Sequence, residues 1–265
     1  MRGTRIVGIT LVRDEDLYVE QAVRNVSGFC DELILVDNRS RDETPHILER
    51  LAAELPHASL HPARHPSLSH DLIAPLAGED VWVFGVDGDE LYDPAGLAAF
   101  KPRLLASEFD DWWLLRGNAV HCVELDRERG AATGYAAPPS PSMTKLHNFK
   151  LIEAWDGPAP ERLHTTDGLR FKPGREGRKH GLQEVYGWDD SPLRALHLCF
   201  LRRSSRERAP HARRNIPDMN APRRLPFRAW SRLREAVGLP EQSAFKLAHY
   251  REGPLVTVSA EPFFG

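Results

Sequence analysis

The sequence predicts an α/β fold: a mostly parallel central sheet flanked by helices, then an irregular half and a C-terminal helical tail. Two observations carry this. Short apolar runs at Arg5–Leu11, Glu32–Asp37, Ala58–His61 and Val81–Val86 alternate with helix-like segments over the first ninety residues, a pattern that parallel strands with right-handed crossovers satisfy. The first, second and fourth runs also break abruptly into polar or acidic residues, and open α/β sheets bind ligands outside the carboxyl ends of their strands.

Each element has a local reason. Arg5–Leu11 is apolar and β-branched, and Arg13-Asp14-Glu15-Asp16 ends it. Leu17, Val19, Ala22, Val23 and Val26 fall roughly on one helical face. Thr44 with Pro45 predicts a helix start, Thr as N-cap and Pro at the first helical position. Ile47, Leu48, Leu51 and Leu55 continue that helix as an apolar stripe, residues 67–77 read as helical, and Val81–Val86 is short and apolar enough to be a buried strand. Beyond it the reading is a helix over Pro94–Ala106, a strand over Trp112–Val120, and a mobile loop over 129–142, which is rich in Gly, Ala and Pro. Mixed strand and turn follow at Lys145–Ile152 and Leu163–Phe171, a Gly- and Arg-rich loop at Lys172–Gly181, and an apolar run at Leu193–Leu201. A helix near Phe227–Val237 and a last strand at Leu255–Val258 complete the chain.

The 265 residues fit one large domain or one domain with an appendage. Hydrophobic residues at 41% and charged residues at 28% describe an ordinary folded chain rather than a disordered one. A net charge of −3 gives no nucleic-acid signature. Cys30, Cys122 and Cys199 form no paired motif, and no segment reaches membrane-spanning length, so a reduced, cytoplasmic protein is expected.

Chemistry concentrates in Val81-Trp-Val-Phe-Gly-Val-Asp-Gly-Asp-Glu90. Asp87 and Asp89, two apart in an extended chain, point the same way and can face one cation. Gly88 between them lets a ligand approach the backbone. One or two carboxylates, completed by substrate phosphates, are how Mg2+ or Mn2+ is usually held. A polar strand exit is the plainer reading of this motif by itself.

With Thr10-Leu-Val-Arg-Asp-Glu15 and Leu33-Ile-Leu-Val-Asp-Asn-Arg-Ser-Arg-Asp-Glu-Thr44 before it, this stretch resembles the nucleotide-sugar half of family 2 glycosyltransferases, which have the GT-A fold. The match covers about residues 5–93 and rests on three ordered motifs; Arg13 stands where the family often has Asn, and Arg39 where it often has Gly. The resemblance implies a single catalytic domain over 1–203, with a nucleotide-sugar half (1–93) and an acceptor half (94–203), and an Arg-rich helical extension over 204–265 packed on it. It implies that Thr10, Leu11, Arg13 and Asp37 bind base and ribose, and that Gly88 and Asp87 lie against the donor. Asp87 and Asp89 would hold Mn2+ or Mg2+ on the diphosphate, stabilising the leaving group, with His197 as third ligand and Arg202 and Arg203 gripping the same phosphates. A core histidine is the competing reading of His197.

The implied activity is inverting transfer of a sugar from a nucleoside-diphosphate sugar, UDP favoured, to an acceptor hydroxyl on a saccharide, a lipid-linked carrier or a small natural product. One general base is then needed. Glu161, in the Pro-bounded loop Pro158-Ala-Pro-Glu-Arg-Leu-His164, ranks first and Asp156, at a turn before Gly157, second. Nucleotidyl transfer is the alternative enzyme; it would want a Gly-rich loop after the first strand, and residues 11–15 contain no Gly. The other alternative is a non-catalytic sugar- or nucleotide-binding module. Nucleic acid is not an expected partner. Phe227, Trp230, Leu233 and Val237, spaced three to four apart among Arg residues, make a basic amphipathic helix. It would pack on the domain or touch the inner face of an anionic membrane.

Overall fold

The computed structural model describes residues 3–138, 145–164, 166–208 and 248–264. The first ninety residues form the expected alternation: β1 (Arg5–Thr10), α1 (Val19–Ser27), β2 (Glu32–Asp37), α2 (Thr44–Glu54), β3 (Ala58–Pro62), α3 (Leu68–Ile73) with a 3-10 turn at Ala74–Leu76, and β4 (Val81–Val86). These four strands are mutually parallel in the order β3-β2-β1-β4. β1 and β4 pair over six residues, Arg5 to Thr10 against Val81 to Val86, so both strands end at the same level. β1 lies between β2 and β4: the chain steps outward from β1 to β2 and β3, then crosses back to β4 on the other side of β1, and open sheets take ligands where the strand order reverses in this way.

The central strands are buried on both faces, as parallel strands are. Ile6, Leu33, Leu35, Trp82 and Phe84 join the core beneath α1, α2 and α4, whereas Val7, Ile9, Ile34, Val36, Val81 and Val83 pack on the opposite side against Trp113, Phe149 and Trp155. Fully burying such a side chain stabilises by about 1.5–3 kcal/mol, which pins the register.

The second half supplies β5 (Glu90–Tyr92), α4 (Pro94–Leu105), β6 (Leu114–Arg116), β7 (Asn118–Asp126), β8 (Ala131–Ala137), β9 (Lys145–Asn148), β10 (Ile152–Trp155), β11 (Leu169–Phe171), β12 (Lys179–Gly181), β13 (Arg194–His197) and β14 (Leu255–Ser259). β9 enters the large sheet antiparallel to β4 and β6, and β12 closes that edge beside β6, giving seven strands. A five-stranded sheet, β14-β8-β7-β13-β5, stands next to it, and β10 and β11 form a separate antiparallel pair. β5 begins directly after the acidic loop that follows β4, so that loop joins the two large sheets.

Four expectations are corrected. Trp112–Val120 is two strands in different sheets, divided at Gly117, where a Cβ would lie 1.7 Å from the Leu193 carbonyl oxygen. Residues 131–137 of the expected loop are β8, paired on both sides. The loop at 172–181 ends in β12. Thr44 is the first helical residue, not the cap; its Oγ1 accepts from the Glu15 amide at 2.9 Å instead. The amphipathic segment at Phe227–Val237 lies outside the described residues. No helix among the described residues is long and apolar enough to cross a membrane.

Candidate active site

The carboxyl ends of β1, β2 and β4 bring the predicted acids to one edge of the large sheet. Residues 10–13 run beside the end of β2: the Val12 amide donates to the Val36 carbonyl at 3.0 Å and the Asn38 amide to the Val12 carbonyl at 2.9 Å. Thr10 and Leu11 turn their side chains into the core, Thr10 Oγ1 accepting from the Val36 amide, so a ligand would meet only their main chain. Arg13 lies 3.8 Å from the Asp14 carboxylate. Asp37 is buried; its Oδ2 faces the Ser40 amide at 3.4 Å, while its Oδ1 is buried with no hydrogen-bond partner. Burial pushes its carboxyl above the usual Asp range, against the lowering effect of Ser40. A buried acceptor oxygen without a donor is costly, and a ligand N–H or O–H brought to it as the strand-end loop opens would recover that cost.

Arg39, standing where the resembled family often has Gly, adopts φ 62°. That is the left-handed region, which favours Gly and costs an ordinary residue about 1–2 kcal/mol. The loop keeps the backbone shape without the residue that makes it easy. Asn38 Nδ2 donates to the Ala63 carbonyl, Ser40 Oγ accepts from the Asp14 amide, and Asp42 Oδ1 accepts from the Thr44 amide. All three shape the loop.

At the end of β4 each acid of the pair has its own guanidinium. Asp87 is ion-paired with Arg162, a side chain only 3% exposed, which also donates to the Val86 carbonyl at 3.2 Å. Asp89 is ion-paired with Arg203, and His197 Nε2 lies 3.7 Å from its Oδ2. Burial alone would raise the Asp89 carboxyl, but Arg203, and then His197, hold it below the usual range. Burial likewise disfavours the charge on Arg203, yet Asp89 and Glu15 keep its pKa raised. Glu15 sits 3.5 Å from Arg203 and presses on the loop: a Cβ at position 88 would lie 2.2 Å from Glu15 Oε2 and 2.8 Å from Val12 Cγ1. A side chain at position 88 would thus displace the Glu15 carboxylate, whatever binds above.

The segment after β13 is stitched onto the loops that follow β1 and β2. Ser204 Oγ donates to Asp42 and the Ser205 amide to Asp16 at 2.7 Å, while the Arg203 carbonyl accepts from the Leu17 amide at 3.2 Å. Of the two predicted arginines, Arg203 reaches the acids; Arg202 donates to the Glu207 carbonyl at 3.3 Å. Glu161, beside Arg162 in sequence, is mostly buried and lies 3.1 Å from His164 Nδ1. Asp156 is largely exposed and paired with Arg170 across the β10–β11 hairpin at 3.0 Å.

Asp89 Oδ2 and His197 Nε2, 3.7 Å apart, are near enough to share a divalent cation, whose ligands stand at most ~4.2 Å apart across an ion at about 2.1 Å each, once Arg203 leaves that oxygen; Asp87 is turned to Arg162. The sequence reading missed Glu15, Arg162 and His121, whose Nδ1 lies 2.8 Å from Nδ1 of His197. Arg162 and His121 carry no local signal, since each is brought in by pairing between distant segments.

No family profile and no curated protein matches the chain. Among solved structures it is similar to glucosyl-3-phosphoglycerate synthase from Mycobacterium tuberculosis in complex with Mn2+, UDP and glucosyl-3-phosphoglycerate, at 21% identity and TM-score 0.32 over 44% of each chain. It is also similar to mannosyltransferase PcManGT from Pyrobaculum calidifontis in complex with GDP-Man and Mn2+, at 20% identity and TM-score 0.34 over 48% of this chain and 38% of that one. A third is 4-diphosphocytidyl-2C-methyl-D-erythritolsynthase from Anaerococcus prevotii DSM 20548, at 14% identity and TM-score 0.36 over 56% of this chain and 72% of that one. The chain thus spans less than half the length of the two glycosyltransferases.

Proposed function

We propose that this protein is a metal-dependent glycosyltransferase that moves a sugar from a nucleoside-diphosphate sugar, UDP favoured, to an acceptor hydroxyl with inversion. The observation that carries the reading is the donorless Oδ1 of Asp37 on the same sheet edge as Asp87 and Asp89. Asp37 accepts a hydrogen bond from the pyrimidine N–H or a ribose hydroxyl. The contact returns to a buried carboxylate the bond that desolvation denies it. Arg203, now paired with Asp89, would turn to the diphosphate as negative charge develops on it. Asp89, Asp87 and His197 are the residues that would hold Mn2+ or Mg2+, which would add electrostatic stabilisation of the same leaving group. Glu161 is the general base that takes the acceptor proton; Asp156, already paired with Arg170, is the second candidate. Residues 1–203 act as the catalytic domain, and the acceptor lies against its second half. Nucleotidyl transfer remains the alternative, distinguished by its product.

Calorimetric titration with UDP, with and without Mn2+, tests this. Wild type is expected to bind UDP more tightly with Mn2+. Asp89→Asn should lose the metal dependence, and Asp37→Ala should lose affinity about tenfold or more, the 1–3 kcal/mol range of a ligand donor left unpaired. Equal UDP affinity in wild type and Asp37→Ala overturns the base-binding role. Turnover of a nucleoside triphosphate with a sugar phosphate, releasing pyrophosphate, would replace glycosyl transfer by nucleotidyl transfer.

A further inference from the structure

His121, His197 and Cys199 lie together behind the acidic loop. All three are buried, and their ligand atoms lie within 4.8 Å of one another. The arrangement is built into the second sheet: β7 and β13 are parallel with His121 directly opposite His197, so both imidazoles leave the same face. Cys199 follows two residues later. Tyr250 covers the group, its ring stacked on His121 at 4.6 Å and edge-on to His197 at 5.4 Å. The chemistry differs from that of the Asp pair. Two imidazoles and a thiol suit a borderline-soft ion such as Zn2+, whereas carboxylates and phosphates suit Mg2+ or Mn2+.

We propose that His121, His197 and Cys199 form a second cation site that takes Zn2+, and that this site and the one at Asp89 compete for His197. The nearest imidazole atoms are the two Nδ1 atoms, at 2.8 Å, and His197 turns its Nε2 toward Asp89 Oδ2 at 3.7 Å. With Zn2+ on both Nδ1 atoms and on sulfur, the Cys199 thiol releases one proton to solvent. The proton shared between the two Nδ1 atoms moves to an Nε2, with no net loss from the histidines. His197 Nε2–H then points at Asp89, the carboxylate–histidine–metal arrangement that fixes a ligating imidazole. In the opposite state the Nε2 lone pair of His197 faces a cation on Asp89, and its Nδ1–H donates to His121. One ring cannot hold both tautomers, so Zn2+ opposes the Mn2+-dependent binding proposed above; the competition, unlike the Zn2+ site itself, rests on that reading.

The test uses the whole chain stripped with a chelator. X-ray absorption of the protein with one equivalent of Zn2+ should show one sulfur at about 2.3 Å and nitrogens at about 2.0–2.1 Å. Co2+ should give a thiolate charge-transfer band that Cys199→Ser removes and Asp87→Asn keeps. Zn2+ should weaken Mn2+-dependent UDP binding about tenfold or more in wild type, and much less in Cys199→Ser. A sulfur-free zinc spectrum of the wild type overturns the site, however the variants behave. A sulfur-bound zinc that leaves Mn2+–UDP affinity unchanged overturns the competition alone. Absence of any Mn2+ effect on UDP binding overturns the glycosyltransferase reading and leaves the Zn2+ site standing.

Discussion

The two halves of the molecule contribute opposite charges to one site. The first half, β1 to β4 and the loop after it, supplies Glu15, Asp37, Asp87 and Asp89; the second supplies Arg162, His197 and Arg203. In the first half β1, β2 and β3 are each followed directly by a helix, and β1 pairs with β4 across a long stretch of sequence. The second is built from crossings: β9 inserts between β4 and β6, β13 joins β5 to β7, and β14 returns to β8. Asp87 and Asp89 are thus neutralised by Arg162 and Arg203, which come from segments distant in sequence. The site cannot form unless both halves are folded together.

Removing a cation of the second half should cost most. Arg203→Met leaves both Asp89 and Glu15 without their shared guanidinium, with His197 Nε2 at 3.7 Å as the neighbour left to Asp89. Breaking a buried pair from one side costs about 3–5 kcal/mol. Urea unfolding should show that loss, and Arg203→Met with Asp89→Asn should cost less than the sum of the two single changes.

The inserted strand comes next. Leu146, fully buried between β4 and β6, is a β9 core residue, and Leu146→Ala should destabilise by about 2–5 kcal/mol. If the halves depend on one another as described, tryptophan fluorescence and far-UV dichroism will report one coincident unfolding transition in this variant. Two separated transitions would show that the first half stands alone.

The pairing also sets an acid-side slope. Asp89 is held below the usual carboxylate range, so it contributes stability above its unfolded pKa of about 3.9, and loses that contribution as pH falls through the lower folded value. Asp42, which burial would raise but which hydrogen bonds from Ser204 and Thr44 lower, acts in the same direction. Melting temperature measured from neutral pH downward should therefore fall through and below the ordinary carboxylate range. In Arg203→Met the dependence on this limb should be shallower, because Asp89 has lost the larger of the two partners that depress it.

The smallest effect is expected where the first half departs from its own local logic. Arg39→Gly relieves a positive φ but adds freedom to the unfolded chain, so thermal unfolding should show a gain of no more than about 1 kcal/mol. A loss would mean that the Arg39 side chain makes a contact outweighing the strain.

How much of this was legible follows the same division. β2 and β4 were readable to the residue, because a parallel strand buried on both faces is a continuous apolar run and its exit into Asp is abrupt. Asp37, Asp87 and Asp89 were readable for that reason. His197 was legible as an isolated polar residue in an apolar run, and the structure places its Nε2 3.7 Å from Asp89. Its partner His121 was not, because it lies just beyond the strand read over Trp112–Val120, in a stretch that carries no motif. Residues 131–137 were misread because Gly and Ala carry little strand propensity; their strand exists through β7 and β14 on either side.

The sequence by itself therefore determined the parallel core, the level at which its strands end, and the acids waiting there, since periodicity and strand exits are local properties of the chain. Only the tertiary structure decided what those acids face. Arg162 is one of many arginines in the sequence, and it is buried on Asp87 because the loop after β10 folds back over the carboxyl end of β4. Partners separated by 75, 76 and 114 positions, as in Arg162–Asp87, His121–His197 and Arg203–Asp89, leave no pattern in any window of sequence. What joins them is the burial of apolar faces elsewhere, which fixes where the strands lie and leaves their charged side chains to meet.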